Sequence, residues 1–198
     1  MLNIAVFVSG GGTNLQALID AQNNNIIKSG KITLVVASND KAFAIKRAEN
    51  NNIKAVTVSK KSFSSQKEFE TKLKEVLVQN NIDLIVLAGY LTILSANFTR
   101  DYEKRIINVH PSLIPSFCGE GFYGLKVHEE ALKKGVKVTG ATVHFVNEIP
   151  DDGEIILQKA VEVQKGDTAQ VLQKRVMEQA EWNILPKAVE LVCQDFQK

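Results

Sequence analysis

The chain is poor in the residues that mark a stapled, metal-built or membrane-embedded protein. Two cysteines, Cys118 and Cys193, make no disulfide framework, and three histidines in 198 residues offer no zinc-ligand spacing. Reduced thiols and no structural metal are expected. No apolar run approaches the roughly 18 residues of a membrane span, and the opening has neither a basic segment nor a cleavage pattern, so no membrane contact and a cytoplasmic location are expected. An excess of one charge is lacking too. With 24 basic and 22 acidic residues the formal charge is +2, which gives no clustered basic surface for nucleic acid. The lysine pairs at 60–61 and 133–134 read as solvated surface. Internal repeats, low-complexity tracts and linkers are missing as well.

What is present is an ordinary globular composition, 44% apolar, enough for a sizeable core in one domain over residues 1–198. Ile4 to Val8 is a continuous apolar run that stops at Ser9-Gly10-Gly11-Gly12-Thr13-Asn14, after which Leu15, Leu18 and Ile19 recur at helical spacing. The order is strand, glycine turn, helix. Ile32 to Ala37 is a second strand, followed by a helix to about Asn50 that Asn39-Asp40 is expected to cap. Ile53 to Val58 is a short third strand. From Gln66 to Gln79 a helix places Phe69, Leu73, Val76 and Leu77 on one face. Asp83 to Gly89 is the most apolar strand, and a brief helix near Ser95 to Asp101 leads to another strand beginning at Ile106. These alternations predict an α/β fold: a Rossmann-like three-layer sandwich with a mostly parallel sheet and helices on both faces. A glycine- and aromatic-rich loop from Ser116 to Lys126 precedes a helix over His128 to Lys134; strands at 141–147 and 154–163 flank the turn 148–153. The last helix starts at Gly166-Asp167-Thr168, carries Leu172, Val176, Ala180 and Leu185 inward, and is kinked or split by Pro186.

Three places carry chemistry. In Ile106-Ile107-Asn108-Val109-His110-Pro111 the side chains of Asn108 and His110 leave one face of a strand that the proline ends. An amide donor beside an imidazole suits a carbonyl carbon passing through a tetrahedral oxyanion; a capped strand end with a satisfied histidine is the plainer reading. The glycine turn, with Gly11, Gly12, Thr13 and Asn14 at a helix start, presents amides to an anion. Leu15 stands where a dinucleotide fingerprint needs its third glycine, and the lysine of a P-loop is missing, so a single phosphomonoester is favoured. Pro150-Asp151-Asp152-Gly153 is a turn by composition, yet a carboxylate there, if close to His110, would raise the imidazole pKa and relay protons. Geometry alone does not choose between the two aspartates.

Taken together, the segments 9–18, 87–90, 108–115, 140–146, 151–153 and 156–158 occur in an order that resembles the folate-dependent phosphoribosylglycinamide formyltransferases over nearly the whole chain. The resemblance implies transfer of a formyl group from 10-formyltetrahydrofolate, as co-substrate, to the amine of a phosphorylated glycinamide riboside. It implies His110 as proton donor, Asn108 as the group polarising the formyl oxygen, and Asp151, seven after His144, as the acid tuning His110. Gly12, Thr13, Asn14 and Leu15 match the phosphate loop, and Glu181, five before Pro186, matches a substrate-binding glutamate. Leu91, Thr92, Ile93 and Leu94, together with Asn108, match the folate-binding part. Thr92 and Gln66 stand where arginines are more usual; Gln66 has the place of the group that meets the folate glutamate, with Lys67 beside it. The stretch from Phe117 to Tyr123 is longer than the family's loop. Small-molecule substrates, no metal and a monomer or homodimer complete the expectation. A formyltetrahydrofolate hydrolase of the same fold, a tRNA-directed formyltransferase and a non-catalytic nucleotide-binding module are the rival readings. The first two normally carry further domains, and none is expected here.

Overall fold

The computed structural model describes residues 1–196. Its centre is a seven-stranded sheet in the order β3-β2-β1-β4-β5-β6-β7, built from β1 (Leu2–Val8), β2 (Gly30–Ala37), β3 (Lys54–Thr57), β4 (Leu84–Leu87), β5 (Ile106–His110), β6 (Val138–Phe145) and β7 (Ile155–Glu162). The first five strands run parallel; β5–β6 and β6–β7 pair antiparallel.

The continuous apolar runs are explained by burial on both faces. In β1, Ile4, Val6 and Val8 join one core cluster, while Ala5 and Phe7 join the other. The first cluster is covered by α1 (Thr13–Asn23), α2 (Phe43–Asn50), α6 (Ala169–Val176) and α7 (Trp182–Asp195). The second is covered by α3 (Gln66–Gln79) and α4 (Ala96–Asp101), with Phe69, Leu73, Val76 and Leu77 inward as their spacing requires. Ser65 caps α3 by accepting from Glu68 N, and the Glu68 carboxylate accepts from Ser64 N, so two orphan donors are satisfied by neighbouring residues.

Three local expectations are corrected. Asn39 does not cap α2. The helix begins after Ala42 without a side-chain cap, and Asn39 instead donates to Ser9 O and accepts from Lys41 N. The helix read from His128 begins earlier, as α5 (Leu125–Lys134), and stops at Gly135 in a left-handed conformation. The C-terminal helical stretch is not split at Pro186, which lies inside α7. It is interrupted by a π-helical turn, Met177–Glu181, which separates α6 from α7 and sets Glu181 at the junction.

The sheet order dictates where a ligand belongs. From β1 the chain moves one way to β2 and β3; it then returns to the other side of β1 and continues through β4 and β5. Such a reversal leaves a crevice beyond the carboxyl ends of β1 and β4, because the connections on either side diverge to opposite faces. The glycine turn follows β1 and the Gly89–Leu94 segment follows β4.

Candidate active site

Beyond the sheet edge lies a cleft of about 640 Å³ whose lining includes Asn14, Leu91, Asn108, His110, Asp151 and Glu181. Residues predicted from five separate stretches therefore meet in one place.

β5 delivers the centre. Ile107 and Val109 go into the core, and Asn108 and His110 go to the cleft. Pro111 and Pro115 remove ladder donors, and the chain beyond β5 is held by other bonds: Thr142 Oγ1 donates to Ser112 O at 2.7 Å and accepts from Ile114 N at 3.1 Å, and Gln158 Nε2 donates to Ile114 O at 3.0 Å. Asp151 reaches the same point from the turn between β6 and β7. A Cβ on Gly153 would lie 1.7 Å from Phe145 O, so only glycine lets this turn fold back onto β6. Asp151 itself has a φ of 58°, a left-handed conformation that aspartate tolerates at a cost of about 1 kcal/mol.

Of the two aspartates, Asp151 is the one in contact with the β5 pair. Asp151 Oδ2 lies 3.4 Å from His110 Nδ1 and accepts from Gly119 N at 2.9 Å. Its Oδ1 accepts from Asn108 Nδ2 at 3.4 Å and lies 3.5 Å from His144 Nε2. Burial pushes the carboxyl up, but His144, His110 and the Gly119 amide outweigh it and hold the carboxyl below its usual range. His110 responds in the direction opposite to that expected from the sequence. The nearby carboxylate does favour the charged imidazole, yet burial is the larger effect and lowers its pKa. A carbonyl can only accept, so the 2.8 Å contact of His110 Nε2 with Phe117 O puts the proton on Nε2. Nδ1, beside the carboxylate, is left as the nitrogen that can take up a proton.

His144 is a site residue that the spacing did not reveal. Antiparallel pairing sets it directly across from Asn108, whose Nδ2 lies 3.2 Å from His144 Nε2, while His144 Nδ1 meets Phe145 O at 2.8 Å. Sequence offers its place in the 140–146 segment but not the register that makes it Asn108's neighbour. His128 was missed as well. It is 0% exposed and lines the cleft, neither ring nitrogen has a hydrogen-bond partner among the described residues, and burial followed by the charge of His110 pushes its pKa down to about 4.

On the glycine side, Gly12 has a φ of 70° and a Cβ there would stand 2.6 Å from the Ala44 side chain. Arg47 Nε donates to Gly11 O at 2.8 Å, and Ala44 N donates to Gly10 O at 3.2 Å, so α2 braces the turn. Leu15 is fully buried against the sheet. Thr13 opens α1 with its hydroxyl 3.9 Å from Met177 Sδ. Asn14 does not extend a free amide to an anion: its Nδ2 donates to Glu181 Oε2 at 2.7 Å, and its Oδ1 is buried without a partner among the described residues. Burial pushes the Glu181 carboxyl up, opposed by that bond.

On the other side, a smaller recess is lined by Leu87, Tyr90, Leu94, Thr99, Asn108 and Val146, with Leu91, Thr92 and Ile93 at its rim. Leu91 and Ile93 are 62% and 67% exposed, unusual for large apolar side chains. Gln66 is half-buried, with its side-chain amide bound within the protein. Its Nε2 donates to Glu70 Oε1 at 2.6 Å and to Ile93 O at 3.2 Å, which ties α3 to this segment. Among the described residues no group of three His, Cys, Asp or Glu is placed to hold a metal, and no helix is long and apolar enough to cross a membrane.

The fold and sequence resemble those of known proteins. A formyl transferase family model matches residues 2–189. The human trifunctional purine biosynthetic protein adenosine-3 is 41% identical over 190 residues, covering 96% of this chain and only 18% of that protein. The phosphoribosylglycinamide formyltransferase of Haemophilus influenzae is 37% identical over 190 residues, 96% of this chain and 86% of that one. A glycinamide ribonucleotide transformylase from Symbiobacterium toebii superposes with a TM-score of 0.91 at 37% identity, covering 98% of this chain and 89% of that one. A match that spans the sheet, the glycine turn and the cleft together leaves one assignment: the chain belongs to the formyl transferase family.

Proposed function

We propose that the protein transfers a formyl group from 10-formyltetrahydrofolate to the amine of 5'-phosphoribosylglycinamide in purine (IMP) biosynthesis; relatives named phosphoribosylglycinamide formyltransferase and purine biosynthetic protein support the acceptor, the transferred group and the pathway. The observation carrying this reading is the convergence of Asn108, His110 and Asp151 in a cleft with a glycine turn on one side and an exposed apolar segment on the other.

The glycine turn with Thr13 takes the phosphate, where amides at the start of α1 favour an anion. Asn14 and Glu181 meet the sugar: Asn14 Oδ1 is an unsatisfied acceptor, and a hydroxyl donor removes that cost. Leu91, Thr92, Ile93 and Leu94 take the pterin and its aryl ring by apolar contact and backbone polar groups. The amine attacks the formyl carbon, forming the new C–N bond and an oxyanion. Asn108 Nδ2 exchanges its long contact with Asp151 for that oxygen, a donor of the kind worth a few kcal/mol in a dry site. His110 enters neutral, takes the amine's proton on Nδ1 while Asp151 stabilises the imidazolium, and returns it to folate N10 as the C–N10 bond breaks. No covalent enzyme intermediate is needed. His144 holds the Asn108 amide in place, accepting from it when neutral.

The test is product identity. With both substrates present, formylated ribonucleotide should accumulate in step with tetrahydrofolate, and His110→Ala should lose most of the turnover while the protein stays folded. Formate released at the same rate whether or not the ribonucleotide is added would favour a hydrolase. Ligand binding with no folate turnover would favour a nucleotide-binding module.

A further inference from the structure

His128 takes no part in the chemistry set out so far, yet its position is a costly one. The ring is 0% exposed, and among the described residues neither nitrogen has a hydrogen-bond partner. The other two histidines, His110 and His144, are both bonded. A buried polar atom left unpaired costs free energy, and His128 carries two. Asn14 Oδ1 is an atom of the same kind, and both residues line the cleft. Unpaired polar groups gathered at one cavity mark where a ligand completes their bonding.

The fold limits which part of a ligand comes within reach. His128 stands in the first turn of α5, and α5 packs against α6. This end of the cleft is therefore walled by Asn14, His128, Gln173, Met177 and Glu181. The ring is also near enough to His110 to feel its charge. With Asn14 and Glu181 at the sugar and His110 at the amine, the stretch of acceptor between them is the glycinamide amide. Its carbonyl oxygen needs a donor. A neutral imidazole supplies one N–H and adds no positive charge beside the imidazolium that forms on His110. We propose that His128 is a binding residue for the acceptor, its ring N–H donating to the glycinamide carbonyl and so holding the amine at His110. This rests on the transferase reading of the cleft and adds a contact that selects the acceptor. The ring is covered in the free protein, so the wall gives slightly as the bond forms. Gly124 is the joint: it precedes α5 at a φ of 57°, with nothing within 4 Å of a Cβ placed on it.

His128→Leu and His128→Gln test the contact, because leucine fills the space without a donor and the glutamine amide restores one. His128→Leu should raise the KM for the ribonucleotide about tenfold or more and leave the folate KM unchanged, and His128→Gln should recover most of the loss. Calorimetric titration with the ribonucleotide alone should give the same ratio of affinities without turnover. Ribose 5-phosphate has the phosphate and sugar but no glycinamide, so it should inhibit the natural chain and His128→Leu equally. An unchanged ribonucleotide KM in His128→Leu, or leucine and glutamine variants that behave alike, overturns the contact. Weaker inhibition of His128→Leu by ribose 5-phosphate overturns it as well, by placing the ring at the sugar. A natural chain that shows the expected ratio by calorimetry but transfers no formyl group overturns the transferase reading and leaves the His128 contact standing.

Discussion

The two walls of the cleft differ in how they are held. Around the glycine turn, polar groups are buried and bound to the protein itself: Asn14 and Glu181 are 8% and 6% exposed and bonded to each other, and α2 braces the backbone of the turn. Along the 91–94 segment Leu91 and Ile93 are open to solvent, and the segment is held by hydrogen bonds from Ser9 and Gln66. The first wall presents polar groups already fixed by hydrogen bonds, and the second presents exposed apolar area. Substitutions should therefore hurt in different ways on the two sides, and most of all at the centre that both walls serve.

Asp151→Asn should have the largest effect. It removes the charge facing His110 Nδ1 and should lower kcat by about 100-fold or more, with modest change in either KM, measured by initial rates under saturation. Gly12→Val comes next. A Cβ 2.6 Å from the Ala44 side chain, at a φ of 70°, should cost about 2–4 kcal/mol by denaturant titration. The KM for the phosphorylated substrate should rise far more than that for folate, and equal rises would erase the contrast between the walls. Glu181→Ala leaves the Asn14 amide buried and unbonded, so about 1–3 kcal/mol of stability should be lost together with ribonucleotide affinity; Glu181→Gln should recover part of both.

The cleft should also be sensitive to acid. His128 is neutral when folded, with a pKa of about 4, and takes up a proton near the ordinary imidazole value of 6.5 when unfolded. Because the unfolded chain binds the extra proton, stability is full above pH 6.5 and falls as pH drops toward 4, by about 2 kcal/mol between pH 7 and pH 5. His128→Leu should flatten this part of the profile, read from urea midpoints at the two pH values. The smallest effect is expected on the open wall. Ile93→Ser should raise the folate KM about threefold to tenfold through lost apolar contact and leave the ribonucleotide KM unchanged.

Much of this could be read along the chain. The strand-turn-helix order, the inward faces of α3 and of the last helical stretch, and the shared direction of Asn108 and His110 follow from periodicity and from where glycine and proline stand. Readings that needed a partner outside the local window went astray. Asn39 looked like a cap and bonds to Ser9 instead. Pro186 looked like the helix break, but the irregular turn falls before it, at Met177–Glu181.

The sequence by itself determined the α/β alternation, the glycine turn beside the first helix and the pairing of amide with imidazole on one strand, because each is a property of neighbouring residues and of backbone geometry. Tertiary structure alone decided that His144 faces Asn108, that Glu181 reaches Asn14 across the molecule, and that His128 lines the same cleft as Asn14. It also decided the sign of the His110 shift. A carboxylate favours the imidazolium and burial opposes it, and how deeply the ring is buried depends on packing from every side, which no run of adjacent residues encodes.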